Sequence, residues 1–138
     1  MKIEINFAET NGLDGSLTIR AGGTPDVVIA DEPWHHLMHL CAALPELAQG
    51  HTVGVPYSSM PGGYELSRQG REVAVSGDYL PTAAYDFVPF ASALLDAANR
   101  WLAVEVADAA RDGVAPAVRE AVEAGRAAMA TVPPPRPE

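Results

Sequence analysis

In residues 2–8, KIEINFA, the side chains alternate: Ile3, Ile5 and Phe7 fall on one side and Glu4 and Asn6 on the other, the period-two pattern of a half-buried strand. Thr10, Asn11 and Gly12 supply a turn. LDGSLTIRA then repeats the alternation with Leu17 and Ile19 inward and Ser16, Thr18 and Arg20 outward, so residues 2–21 read as a β-hairpin. Gly22, Gly23 and Pro25 end it, and the apolar triplet Val27, Val28, Ile29 fits either a third short strand or the lead-in to a helix. Asp31 is a good N-cap, and Glu32 and Pro33 suit a first helical turn. Trp34, Leu37, Met38, Cys41 and Leu44 keep helical spacing toward Gly50, with Pro45 predicting a kink or an early stop. HTVGVPY at 51–57 returns to alternation, with Val53, Val55 and Tyr57 on one side and Pro56 marking an edge or a bulge.

A second hairpin is the clearest local signal: YELSR, a two-residue turn at Gln69 and Gly70, then REVAVS. That register sets Leu66 opposite Val73 and Tyr64 opposite Val75 on one face, with Ser67 opposite Glu72 and Glu65 opposite Ala74 on the other. DYLPTAAYD, residues 78–86, reads as a loop. A helix starting at Asp86 carries the stripe Phe90, Leu94, Ala97 and Trp101 and is expected to run as far as Asp112, with Gly113 as its C-cap. Pro116 restarts a third helix with a thin stripe of Val118, Val122 and Met129, interrupted by Gly125, and residues 131–138 form a proline-rich tail expected to be disordered. The expected architecture is a single α+β domain over residues 1–130. It comprises a mainly antiparallel sheet of about five strands, two main helices packed on one face and a C-terminal helix.

Composition narrows the function classes. A chain of 138 residues, 48% of them hydrophobic, can bury about 68% of its unfolded surface and needs no covalent staple. Its 18 acidic residues outnumber 9 basic ones, for a net charge of −9, which argues against binding a phosphate backbone and favours a basic partner. With Cys41 as the only cysteine there is neither a disulfide nor a thiolate zinc cluster, as suits a reducing cytoplasm. No apolar run reaches the ~18 residues of a membrane span, and Glu4 and Glu9 stand where a signal peptide would be basic and then apolar. A cytoplasmic protein with no membrane contact is expected.

Few constellations suggest chemistry. Glu32, His35, His36 and His39 cluster on the first helix, and the spacing of His35 and His39 suits two ligands of one metal ion from one helical face. HHLMH lacks the glutamate of a zincin, however, and His51 is the only other histidine, so a solvated polar face outweighs a metal site. Cys41 lies on the apolar stripe and reads as a buried hydrophobe rather than a nucleophile. There is no nucleophile elbow, P-loop or dinucleotide fingerprint, and no cofactor is expected. Asp78 and Asp86, with Tyr79 and Tyr85 between them, form a candidate acid/base pair, the basis with the histidines of an alternative reading as a small hydrolase or metal-dependent enzyme. A third reading is a structural subunit that dimerises through the Val118, Val122 and Met129 stripe.

The main expectation concerns the sheet face that the helices do not cover. It carries Glu4, Asn6, Ser16, Thr18, Thr52, Glu65, Ser67, Glu72 and Ser76, polar and mildly acidic. Glu4, Glu65, Glu72 and Asp78, with Tyr57, Tyr79 and Tyr85 as aromatic anchors, are the candidate contacts for a basic protein. The order of elements over residues 2–105, through KIEINFA, YELSRQGREVAVSG and FVPFASALLDAANRWL, resembles small acidic immunity proteins of bacterial polymorphic-toxin systems. No diagnostic motif accompanies the resemblance, so it carries over no functional residue. It implies a non-catalytic cytoplasmic inhibitor that binds and neutralises a basic toxin.

Overall fold

The computed structural model describes residues 1–11, 13–104 and 108–133. The chain is α+β. Its elements are β1 (Ile3–Asn11), β2 (Asp14–Ala21), β3 (Val27–Ile29), α1 (Pro33–Ala48), β4 (Thr52–Pro56), β5 (Gly63–Gln69), β6 (Glu72–Gly77), β7 (Leu80–Asp86), α2 (Phe87–Ala103) and α3 (Ala109–Met129). The strands form two antiparallel sheets, β1-β2-β3 and β4-β5-β6-β7, rather than one sheet of about five strands. β3 lies alongside β7, with no ladder bonds between the two sheets among the described residues.

The first hairpin pairs as its alternation requires, with Ile5 opposite Ile19 and Phe7 opposite Leu17; Gly12 of the expected turn lies outside the described residues. Val27–Ile29 is a strand, because Val27 and Ile29 drop into the core beside Ile19 and Leu17 of β2. In the second hairpin the turn is Gly70 and Arg71, not Gln69 and Gly70. Gly70 takes a φ of 60°, the left-handed value a two-residue hairpin wants of glycine at its first central position. Every pair moves by two residues, so Leu66 faces Val75 and Tyr64 faces Gly77, and Glu65 faces Ser76 rather than Ala74. An even shift leaves each side chain on its expected face.

Residues 80–86 are a strand, not a loop. Ala83 and Tyr85 alternate inward and are buried, while Pro81 is exposed on a strand that closes its ladder at this edge and so tolerates a missing N–H.

α1 packs on β2, β4 and β5, and α2 on β1 and β7, which buries Leu37, Leu40, Leu44 and Leu47 from α1 and Phe87, Phe90, Leu94 and Trp101 from α2. α1 begins at Pro33 with Glu32, not Asp31, at the N-cap position. α2 stops at Ala103, short of the expected Asp112, and residues 105–107 lie outside the described residues. α3 then starts on an Asp108 cap that accepts from Ala110 N and Arg111 N, and it runs unbroken through Gly113 and Pro116. Arg111 anchors its first turns. Nearly buried, its guanidinium donates to Glu9 Oε1 and to the Trp101 carbonyl and stacks 3.9 Å from the centre of the Trp101 ring. Of the expected tail, Thr131 bonds back to the Ala128 carbonyl and Val132 packs on the core; residues 134–138 lie outside the described residues.

α3 lies mainly against α1 and α2, and of the expected dimer stripe Val118 and Val122 are buried and Met129 is half-buried against the chain's own core. The close approach centres on Gly125. A Cβ there would stand 2.9 Å from the Cys41 carbonyl oxygen and 2.9 Å from Leu44 Cδ1. Pro45 explains why that carbonyl is available: proline has no N–H, so the ladder bond from residue 45 to Cys41 cannot form, and the backbone of α3 settles over the freed oxygen.

Gly125→Val should therefore destabilise the fold by about 1–3 kcal/mol as α3 lifts from α1, whereas Gly113→Ala, where a Cβ meets nothing within 4 Å, should stabilise it by about 0.5–1 kcal/mol. Urea unfolding of the two variants checks the contrast.

Candidate functional site

Two features stand out, one inside the fold and one on its surface. The inner one is a polar cluster at the entry to α1. Asp31, two residues before Pro33 opens α1, turns its carboxylate inward instead of capping the helix. It accepts from Ser58 N at 2.6 Å, Ser59 N at 3.1 Å, Ser59 Oγ at 2.5 Å and His36 Nε2 at 2.7 Å. Burial alone would raise this carboxyl, but the hydrogen bonds from Ser59, Ser58 and His36 outweigh it and hold Asp31 well below the usual carboxylate range. An ionised carboxylate only accepts, so His36 Nε2 is the donor, and in the neutral ring Nδ1 accepts from Tyr64 OH at 2.7 Å. Burial holds His36 below its usual value against the pull of Asp31, consistent with that neutral ring.

The order Tyr64, His36, Asp31 has the connectivity of a nucleophile, a base and its orienting acid. The His36 and Asp31 side chains, however, have no exposed surface, Tyr64 is 3% exposed, and burial pushes its hydroxyl well above the ordinary tyrosine value. The cluster is a clasp that ties residues 58 and 59 to α1 and α1 to β5.

His36 is thus a correction to the expected exposed histidine face. With Leu40, Ala43 and Leu47 it forms a buried stripe at i, i+4, i+7 and i+11, a spacing visible in the sequence. His35 and His39 do lie together, ring centres 4.3 Å apart, but His35 Nε2 is engaged by the Pro56 carbonyl at 2.7 Å. Among the described residues no three His, Cys, Asp or Glu side chains are grouped to hold a metal ion. Cys41 is buried, and burial pushes its thiol up to about 12, a value that suits a core residue and not a nucleophile. Asp78 and Asp86 do not converge, because β7 runs between them and six strand residues span about 20 Å.

The outer feature is the uncovered face of the strands. Glu4, Asn6, Thr52, Glu65 and Glu72 are exposed on it, and Ser16, Thr18, Ser67 and Ser76 are half-buried. Arg20 on the same face pairs with Asp26 at 3.2 Å, and Glu4 lies 3.7 Å from Lys2. Of the expected aromatic anchors only Tyr79 remains, 73% exposed in the turn between β6 and β7. Tyr85 is a correction: it has no exposed surface, stacks 5.6 Å from Phe90, and its hydroxyl is pushed up to about 12 by burial and then by the charge of Asp26. Tyr57 is likewise only 7% exposed, its hydroxyl donating to the Asp78 carbonyl and its ring 5.7 Å from that of Tyr64. Both follow inward strand parity, which carries bulky rings to the core.

Where β4, β5 and β6 end, this face sinks into a shallow groove of about 520 Å³ lined by Gly54, Pro56, Gly63, Glu65, Ser76 and Asp78 among others. Asp78 Oδ2 accepts from Gly63 N at 3.1 Å and so holds the turn against the start of β5.

No family model, curated protein or solved structure matches the chain.

No helix among the described residues is long and apolar enough to cross a membrane.

The clasp has a pH signature. Because His36 and His39 are held below their unfolded value of about 6.5, the unfolded chain binds more protons as pH falls. Stability should be fully present above about pH 6.5, fall as pH drops through the folded values of the two histidines, and fall again below about pH 4 as the unfolded Asp31 takes up its proton. Asp31→Ala leaves four donors without an acceptor and should cost about 2–4 kcal/mol at neutral pH. Thermal unfolding from pH 3 to pH 8, with and without the substitution, tests both statements.

Proposed function

We propose that the protein is a non-catalytic, acidic protein-binding module that acts in the cytoplasm, most concretely an immunity-like inhibitor that covers a basic toxin. The observation that carries this reading is the bare outer face of the strands. The helices of the described residues gather on the other side, and Glu4, Glu65 and Glu72 are exposed on the outer face among mainly short side chains, with Arg20 and Val28 also exposed there. A net charge of −9 sets up a field that draws a cationic protein toward such a face and repels nucleic acid. Burial of the Asp31, His36 and Tyr64 cluster and the separation of Asp78 from Asp86 support a binding role over an enzymatic one.

The test starts by capturing the basic partner from host lysate and then follows its association by stopped flow. Glu65→Lys with Glu72→Lys is expected to slow association about tenfold at low salt while the melting temperature stays nearly constant, and the difference should shrink as ionic strength rises. A partner whose association ignores both charge reversal and salt would refute the electrostatic basis of the reading.

A further inference from the structure

The groove at the end of β4, β5 and β6 is where the acidic face gains shape. Gly54 on β4 and Gly63 on β5 present bare backbone here, and Gly77 ends β6 beside them. Two of these glycines are required by the fold. A Cβ on Gly63 would come within 2.5 Å of the Val55 carbonyl oxygen, and one on Gly77 within 2.4 Å of Tyr64 Cα. Gly54 is different. Its φ is an ordinary one and a Cβ there would meet nothing within 4 Å, so its bareness serves no contact inside the chain.

The groove walls are charged in one sense only. Glu65 and Asp78 line it, no Lys or Arg does, and neither carboxylate has a cationic partner among the described residues. Next to Asp78, Tyr79 holds its ring in solvent on a backbone with φ of 67°, a conformation bulky side chains rarely adopt. At about 520 Å³ the groove has room for a long side chain.

We propose that this groove receives an arginine side chain of the basic partner, its stem over Gly54 and its guanidinium between the Glu65 and Asp78 carboxylates. Arginine fits better than lysine because its planar fork bonds carboxylates bidentately. The inference rests on the acidic-face reading and locates its anchor.

Tetra-arginine amide, titrated at low salt into the ¹⁵N-labelled chain, probes the groove directly. Saturable amide shifts are expected at Gly54, Gly63, Gly77, Asp78 and Tyr79. Gly54→Phe, whose Cβ would meet nothing within 4 Å, puts a ring into the groove and should abolish them with the melting temperature held. Asp78→Asn, whose side-chain oxygen still accepts from Gly63 N, should weaken binding at least tenfold and gives an independent arm if the Phe variant folds poorly. Tetra-lysine amide should bind more weakly. Shifts confined to Glu4, Thr18 and Glu72 would overturn the groove assignment and leave the acidic-face reading standing. Unchanged binding by Gly54→Phe would also overturn it, and the absence of saturable shifts anywhere on the outer face would overturn both.

Discussion

The buried Asp31 carboxylate organises one end of this molecule. A charge taken out of water is tolerated only when its lone pairs are met by donors, and here four come from two directions: Ser58 and Ser59 from the connection after β4, and His36 from the first turn of α1. Because the donors lie on separate segments, satisfying the charge fixes those segments relative to one another. His36 extends the chain of bonds to Tyr64, so β5 joins the same assembly. The connection held by Asp31 leads directly into Gly62 and Gly63, where Asp78 takes over with its bond to Gly63 N. The outer groove is therefore shaped by a hidden ion on the other side of the sheet.

A second constraint explains why the outer face stays bare. A long third helix had two surfaces on which to bury its Val118 and Val122 stripe, the open sheet face or the outside of the helical layer. Small and polar residues on the sheet face offer little apolar area, whereas Cys41, Leu44 and Leu95 offer a seat that α3 reaches through the missing side chain of Gly125. Pro45 and Gly125, both breakers by propensity, cooperate: one frees a carbonyl and the other lets a backbone come close to it. Arg111 secures the other end by linking Glu9 of β1 with the last turn of α2.

Much of the fold was legible because alternation and helical spacing are local. The strands of both hairpins, the stripe of α2 and the polarity of the exposed face followed from them. The register of the second hairpin differs by two residues from the one its composition suggests, since a turn is chosen by backbone geometry at Gly70 and Arg71, yet the even period preserves every inward and outward assignment. β7 was hidden by Pro81 and by two alanines too small to give a pattern. Tyr57 shares the inward side of Val53 and Val55 already in the sequence, so its burial was legible, whereas the burial of Tyr85 appears only once residues 80–86 are a strand.

Side-chain periodicity along the chain thus determined the α+β class, the helical stripes and an acidic outer face, because each depends on neighbours within a few residues. Tertiary structure alone decided that Asp31 pairs with His36 instead of capping α1, that β7 separates Asp78 from Asp86, and that Gly54, Glu65 and Asp78 share one groove. These relations join residues far apart in the chain, and they arise because a buried charge must find its donors and a ladder its partners wherever the packed chain brings them.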